Sequence, residues 1–591
     1  MTDERRAFTP TIQDIVRELD AHEHHTSASL AAALRRPITI DDVAAWIRFD
    51  PTNYVRSLVT STERWELRLL CWRPWQSSSL HGHGSSACAF RVLRGSATES
   101  ILGERDRTWA PGDVVQESSS GLVHQVSNAG ADALLTLHAY SPRIPIDAPS
   151  TPDGRSVVIV GGGVSGIALA IHLLRSGDPK LRITVVERGP WLGRGVAYGV
   201  DSEVFRLNVP AAKMSLDPEQ PDDFARWAGV TSTPNVFLQR THYGRYVVQR
   251  FGEALRSSPA KLRIVRGEVA QVGESSVVLV DGRRIAADTV VLATGLSPRI
   301  GESMFPADPR IIDAWDECAL AALPRDGRLL ILGSGLTALD VVAFMSVHGF
   351  RGTASIVSRR GLLPRPHVPP GTSVALPAEL LEEAPADLRE LLRWGRRVVA
   401  EATRRGAPWQ HAIDAMRPHV SRLWRNLPPG DRARFVRSVR PYWDVLRHRA
   451  PQDAHERIDA WRSQGRLELV AGGIAGCVPT ASGLEVVLRL RDGTVRKERY
   501  DAIVRCIGPA LERAESDAPI VHDLIEQGRA AADPAGLGIV TDHEGRVIGP
   551  DGRPSERLYA LGALRRASSW ETTAVPDISV HALALARKIA G

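Results

Sequence analysis

The sequence predicts a multidomain chain: an N-terminal all-β barrel, then an α/β part built on two dinucleotide-binding, Rossmann-like folds. Three observations carry that reading. Short alternating apolar runs separated by turns fill the stretch from about Trp65 to Tyr140. A strand, a glycine-rich turn and a helix then occur twice, as "SVVIVGGGVSGIALAIHLLRSG" from Ser156 and "RLLILGSGLTALDVVAFM" from Arg328. Finally, 591 residues, 43% of them apolar, are too many for one core at ~100–200 residues per domain.

Composition narrows the function classes. The net charge is +6, and five of the 74 basic residues are lysine, leaving 69 arginines. Fifteen arginines fall between Arg389 and Arg449, on a segment that reads helical ("ELLRWGRRVVAEATRR"). With no stacking aromatics or nucleic-acid motif beside them, they read as a solvated helix face, and no nucleic-acid partner is expected. Five cysteines (Cys71, Cys88, Cys318, Cys477, Cys506) form no CxxC, which fits a reducing compartment. The opening residues are charged throughout and do not read as a secretory leader. The longest apolar run is too short and too glycine-rich to cross a membrane. The expectation is a cytoplasmic protein with no membrane partner.

Taken in order, residues 1–37 read as a polar, helical and partly mobile arm, and the barrel unit extends over 1–145. The Pro- and Ser-rich 146–154 reads as a linker. A first dinucleotide-binding domain is expected over 155–325 and 460–591. A second, with an arginine-rich helical insertion, is expected over 326–459.

In the barrel, "LHGHGSSAC" separates His81 from His83 by one residue. On an extended strand such residues face the same way, so two imidazoles can enter one cavity. His124, in "GLVHQVSN", lies one strand pair further on. Three imidazoles without a carboxylate leave a divalent ion's charge uncompensated and favour an anionic ligand such as a thiolate. Imidazole suits iron, zinc or copper and does not choose among them.

The motifs "YVRSL", "LLCW", "LHGHGSSAC", "GLVHQVSN" and "LHAYSP" resemble, in order and spacing, the cysteine dioxygenases, over roughly Ile40 to Pro142. These are cupin-fold, non-haem Fe(II) enzymes that oxidise cysteine to its sulfinate with O2. The resemblance implies metal ligands His81, His83 and His124. It implies that Arg56, beside Tyr54, pairs with the substrate carboxylate, a task suited to a guanidinium. It also implies that Tyr140 places its hydroxyl near the iron and is oriented by His138, and that Cys88 matches a cysteine some members cross-link to that tyrosine. Two positions depart from the pattern: Gly82 stands where an acid is usual between the histidines, and Thr136 stands for a serine.

In the α/β part, Gly161, Gly163 and Gly166 fit G-x-G-x-x-G, and Glu187 closes the next strand 21 residues after Gly166. Such glycines let backbone approach a pyrophosphate at a helix N-terminus, and the acid takes ribose hydroxyls. The second copy carries Gly333, Gly335 and Ala338 on G-x-G-x-x-A. Its following strand ends in Ser358, Arg359 and Arg360, where an acid would suit NADH and arginine suits the 2′-phosphate of NADPH. With "VVLATG", which ends at Gly295, and "LYALG", which ends at Gly562, the half from about Arg155 onward resembles two-domain FAD/NAD(P)-binding flavoproteins, distantly similar to flavin N- and S-monooxygenases. The resemblance places Asn208 and Val209 near the flavin ring and Gly562 near its ribityl chain.

The whole reads as a bifunctional oxidoreductase that uses Fe(II), FAD and NADPH, with a cysteine-like thiol and O2 as partners. Thiol dioxygenation would be joined to a monooxygenase-like oxidation of the product or of a related amine or sulfur group. Two alternatives stay open: a flavin half that maintains the iron, and a cupin that senses thiols for the flavoprotein.

Overall fold

The computed structural model describes residues 8–50, 54–78, 80–83, 86–102, 104, 106–117, 123–143, 154–189, 191–233, 235–295, 305–368, 375–383, 385–507 and 519–591. All of the expected linker 146–154 except Gly154 lies outside them, as do residues 1–7.

Two helices open the chain, α1 (Pro10–Asp20) and α2 (Ser27–Leu34). Thr9 caps α1 ahead of a proline in its first turn, and Thr26 with Ser29 forms a capping box on α2. Ile12, Ile15, Leu19, Leu30 and Leu34 are buried against Leu67, Leu69 and Leu137 of the barrel. This corrects the expectation of a partly mobile arm: its apolar residues recur at helical spacing and cover one face of the barrel.

The barrel strands are β1 (Val55–Ser61), β2 (Glu66–Trp72), β3 (Ala87–Arg94), β4 (Ala97–Ile101), β5 (Arg107–Trp109), β6 (Val114–Gln116), β7 (His124–Ser127) and β8 (Leu134–Ser141). They form a five-stranded sheet in the order β1-β2-β8-β3-β6 and a three-stranded sheet in the order β5-β4-β7. Every residue of β2 is buried, because α1 and α2 cover one side of its sheet and the cavity side is closed by β4 and β7.

The first α/β unit starts at β9 (Ser156–Val160), passes through α3 (Val164–Arg175) to β10 (Arg182–Glu187), and reaches β11 (Lys261–Arg266) after a long helix over Arg240–Ser257. Its six-stranded sheet runs β11-β10-β9, then Thr289–Leu292, Pro554–Ala560 and Arg546–Ile548, with all pairs parallel except the last.

A second, seven-stranded sheet has Arg328–Leu332 and Thr353–Ser358 at its centre, with α4 (Leu336–Val347) crossing between them. The helical insertion follows and includes α5 (Leu388–Arg404) and α6 (Arg440–Arg447). The expected domain division needs correction here. Leu467–Thr480, Gly483–Leu490, Val495–Tyr500 and Ala502–Arg505 all join the second sheet, as does Ile311–Asp313. The insertion falls between two adjacent parallel strands, so that sheet is completed only after the insertion ends. The chain closes with α7 (Val575–Ala590), packed on α3. No helix among the described residues is long and apolar enough to cross a membrane.

The barrel is docked on the edge strand β11. The Leu80 N–H donates to the Leu262 carbonyl at 2.9 Å. The buried Gln125 amide makes two 2.8 Å bonds to Ile264, donating to its carbonyl and accepting from its N–H. Asp106 accepts two 2.9 Å bonds from the Arg266 guanidinium. Leu80 and Val123 belong to the same apolar cluster as α3 and β10. An edge strand's unpaired backbone is thereby covered by the barrel.

Candidate functional site

His81 and His124 face each other across a two-bond backbone bridge, with N···O distances of 2.9 and 2.8 Å. His83 follows His81 at the spacing that turns both rings inward. The Nε2 atoms of His81 and His83 are 3.1 Å apart, and those of His83 and His124 are 3.2 Å apart. Ring nitrogens about 2.0–2.1 Å from a divalent ion and roughly at right angles stand about 3 Å apart, so the three fit one metal. Burial, then the neighbouring imidazoles, push His83 down to about 2, which keeps it a neutral ligand.

Two buried carboxylates stand beside these rings, which corrects the expectation of three imidazoles with no carboxylate. Glu99 Oε1 is 2.8 Å from His124 Nδ1. Glu117 Oε2 is 3.2 Å from His83 Nδ1, and its Oε1 is 3.1 Å from His124 Nε2. A carboxylate on the far nitrogen fixes the tautomer and aims the near nitrogen at the metal. Apart from that approach to the His124 ring, buried Glu117 Oε1 has no hydrogen-bond partner, and His83 Nδ1 makes no hydrogen bond either. Both acids were missed in the sequence. The available signal was parity: Glu99 shares its strand face with Ala97 and Ile101, and Glu117 is in phase with Val115, all of them buried.

The rest of the cupin residues converge. Tyr140 Oη is 3.0 Å from His138 Nδ1, and His138 Nε2 is 2.9 Å from Thr136 Oγ1, which also accepts the Trp72 indole N–H at 2.9 Å. The threonine at 136 therefore still supplies the hydroxyl that a serine would. Burial, then Arg56, holds His138 well below its usual value, so the ring is neutral. Burial holds the Tyr140 phenol protonated, and its ring lies 5.4 Å from that of His83. Cys88 is paired directly across from Tyr140 on β3 and β8, and its thiol is bonded to Glu117. Arg56 lies on β1 opposite Leu70, and its charge acts on His83, Cys88, His138 and Tyr140. Tyr54 stacks on Trp72 with centroids 4.1 Å apart.

In the α/β half, Gly161 has φ +107°, and an added Cβ would lie 2.4 Å from the Ala293 carbonyl. A Cβ on Gly166 would lie 1.9 Å from the Gly161 carbonyl. Gly163 caps α3. Only bare backbone fits this turn, as a pyrophosphate cradle requires. Glu187 accepts from the Gly162 and Gly189 N–H groups, both at 2.6 Å. Gly295 follows the strand Thr289–Leu292 next to β9, Gly562 follows the neighbouring strand Pro554–Ala560, and a Cβ on Gly562 would meet Ser165 Oγ at 2.6 Å. These residues therefore meet at one crevice beyond the strand ends. Asn208 lines a cavity between the two dinucleotide folds with Arg240, Leu336 and Asp340, and its carbonyl accepts from His367 Nε2 at 3.1 Å. Val209 packs on the adjoining core.

In the second fold, Gly333 repeats the turn with φ +106°, Gly335 caps α4, and Ala338 is fully buried. Arg359 and Arg360 follow the next strand but do not act as a pair. Arg359 is exposed, whereas Arg360 lies over the Tyr442 ring at 5.5 Å.

The fold and the sites define a two-part architecture: a cupin-like barrel with a three-histidine cluster, followed by an α/β part with two dinucleotide-binding folds. Residues 5–147 match the family model described as Cysteine dioxygenase type I, and residues 158–297 match that described as FAD-NAD(P)-binding. Cysteine dioxygenase type 1 of Danio rerio is 30% identical over 129 residues, which are 20% of this chain and 63% of that protein. The Homo sapiens protein is 28% identical over 128 residues, 19% of this chain and 62% of that protein. The chain thus spans less than two thirds of the length of these curated relatives. Among solved structures, an ornithine hydroxylase from Pseudomonas aeruginosa superposes with TM-score 0.50 at 18% identity, covering 74% of this chain and 99% of that one. A cadaverine monooxygenase from Erwinia amylovora superposes with TM-score 0.51 at 14% identity, covering 73% and 94%. At these identities the likeness is one of fold. Iron in the cupin, with FAD and NADPH in the flavoprotein, are the cofactors these relationships support.

Proposed function

We propose that the cupin is an Fe(II)-dependent thiol dioxygenase acting on cysteine or a close derivative, and that the flavin half performs a separate NADPH-dependent oxidation of the product or of a related amine or sulfur group. The observation that carries the first part is the convergence of three Nε2 atoms on the cavity faced by Tyr140 and Arg56. When bound, the iron would bring thiolate and O2 together. The chain's own residues do the rest. Arg56 holds the substrate carboxylate and so fixes which thiol can reach the metal. Neutral His138 holds the Tyr140 hydroxyl in place, and the phenol keeps its proton available for a hydrogen bond to substrate. Glu99 and Glu117 offset the ion's charge, and Glu99 holds the His124 ring.

In the overall conversion, RSH and O2 become RSO2H. The sulfur gives up four electrons and one O2 accepts them, so no outside reductant is consumed. The NADPH of the flavin half is then free for its own oxidation. A second reading, in which the flavin half maintains the iron, is favoured by one feature: both ligand-bearing segments, at Leu80 and Gln125, are bonded to the flavoprotein edge strand.

Mass spectrometry of products formed by the iron- and FAD-loaded protein from cysteine and O2, with and without NADPH, tests both. Sulfinate formed over many turnovers without NADPH supports the leading reading. Rapid loss of turnover that NADPH restores supports the second. No sulfinate under either condition overturns the dioxygenase.

A further inference from the structure

A cluster of partly buried charge in the flavoprotein half takes no part in either glycine turn. On α6, Arg440, Trp443, Asp444 and Arg447 share one face, and His448 continues it. The arginine side chains there are about one-tenth exposed, whereas Arg393 and Arg404 on α5 are 56% and 69% exposed. The reading of the whole arginine run as a solvated face therefore holds for α5 and fails for α6.

Facing α6 is the segment after Gly562, which carries Arg566, Trp570 and Glu571. Thr572 ties that segment down, its hydroxyl donating to the Gly562 carbonyl at 2.8 Å. Arg447 pairs with Glu571 at 3.0 Å, Arg417 with Asp577 at 2.7 Å, and Arg440 with Asp444 at 3.5 Å. Each acid is thus matched to a guanidinium. Arg566 is the fourth guanidinium against three carboxylates. Its Nε is buried without a hydrogen-bond partner, and the guanidinium lies over the Trp570 ring at 5.6 Å. The carboxylate charges that act on it are those of Asp444 and Glu571, which are already engaged by Arg440 and Arg447. Burial pushes it down to about 10. Glu571, 7% exposed, keeps Oε1 without a partner, as does the Trp443 indole N–H. Buried polar groups left this way cost stability unless something completes them. An oxyanion would complete Arg566 and Trp443, and an ammonium would complete Glu571.

We propose that α6 and residues 566–572 together bind the substrate of the flavin half, an amino acid whose carboxylate or sulfinate rests on Arg566 and whose ammonium rests on Glu571. The inference deepens the reading of the flavin half and rests on the flavin lying at Gly562. The same guanidinium could instead serve a phosphate of FAD, and the experiment separates the two.

The test titrates cysteine sulfinate into the oxidised, FAD-loaded full-length protein and follows the flavin absorption band. A saturable shift is expected in the wild type and in His81→Ala, because these residues do not depend on the cupin. Arg566→Met should weaken that binding at least tenfold at unchanged FAD content, and Arg566→Lys should restore part of it. Loss of FAD from Arg566→Met with sulfinate binding intact would assign the residue to the cofactor and overturn the proposal. No spectral shift in the wild type would also overturn it, while leaving the cupin reading untouched if sulfinate is still produced there.

Discussion

The three-histidine centre and the α6 cluster are both buried, polar and built from groups that dislike apolar surroundings, yet they are resolved in opposite ways. In the cupin, the far nitrogens of His83 and His124 each face a carboxylate, and Tyr140 is chained through His138 to Thr136 and Trp72. The three Nε2 atoms left over point toward one place. In the flavin half three guanidiniums pair with three carboxylates, and Arg566 shares Asp444 and Glu571 with them at longer range. The first pattern is a site finished by one ion; the second is a site that lacks one anion. A polar network rigidifies a protein when it is satisfied and costs stability when it is not, so the two should respond differently to loss of a member.

The largest effect is expected where the closed network loses a ligand. His81→Ala or His124→Ala should abolish iron binding and thiol oxidation, measured as metal per chain and sulfinate formed, with FAD content unchanged. Full iron occupancy in both variants would break the contrast at its root. Next comes Arg56→Gln, which removes one partner of a desolvated charge pair. The expected cost is about 2–5 kcal/mol in cysteine binding, with little change for cysteamine, which has no carboxylate. Equal losses for the two thiols would show that Arg56 does not read that group.

These two predictions were legible in the sequence, because a strand's period of two turns His81 and His83 to one side and because the motifs around them are dense. The α/β sheets were legible for a similar reason: a glycine turn after an apolar strand is a steric requirement, seen in the missing room for a Cβ at Gly166 and Gly333. What was not legible was set by chain crossings. Glu99 lies 25 residues before His124, and Glu117 34 residues after His83, so neither contact is set by local spacing. Leu467–Arg505 reads as returning to the first domain until its pairing with Thr353–Ser358 is known. Arg440, Arg447 and Arg566 look like every other arginine in an arginine-rich chain until α6 meets the segment after Gly562.

Glu99→Gln offers a finer probe of the closed network. The amide keeps the shape of the side chain and removes its charge from His124. Loss of a group that supports a ligand typically weakens metal affinity about 10–100-fold. Competition for Fe(II) against a chelator would measure it. Affinity equal to wild type would mean that the 2.8 Å contact is packing and does not orient the ring.

The smallest expected effect concerns the second dinucleotide fold, where the arginine pair turns out to be unequal. Arg360 is occupied: it lies over Tyr442 and donates to the Arg437 carbonyl at 3.4 Å, tying the strand end to the helical insertion. Arg359 is exposed beside it. A hydrogen bond to a charged group contributes about 1.5–3 kcal/mol, so a guanidinium reading the 2′-phosphate would favour NADPH over NADH by roughly tenfold or more. If Arg359 is that group, Arg359→Ala should raise KM for NADPH by about that factor and leave NADH nearly unchanged, since NADH has no phosphate to lose. Arg360→Ala should change the nucleotide preference less and the thermal stability more, because its contacts hold protein to protein. Stopped-flow reduction of the flavin by each nucleotide decides the matter. If Arg360→Ala alone removes the preference for NADPH, Tyr442 is a resting place that the arginine leaves when nucleotide binds. Equal rates and affinities for the two nucleotides in the wild type would instead show that neither arginine reads the phosphate.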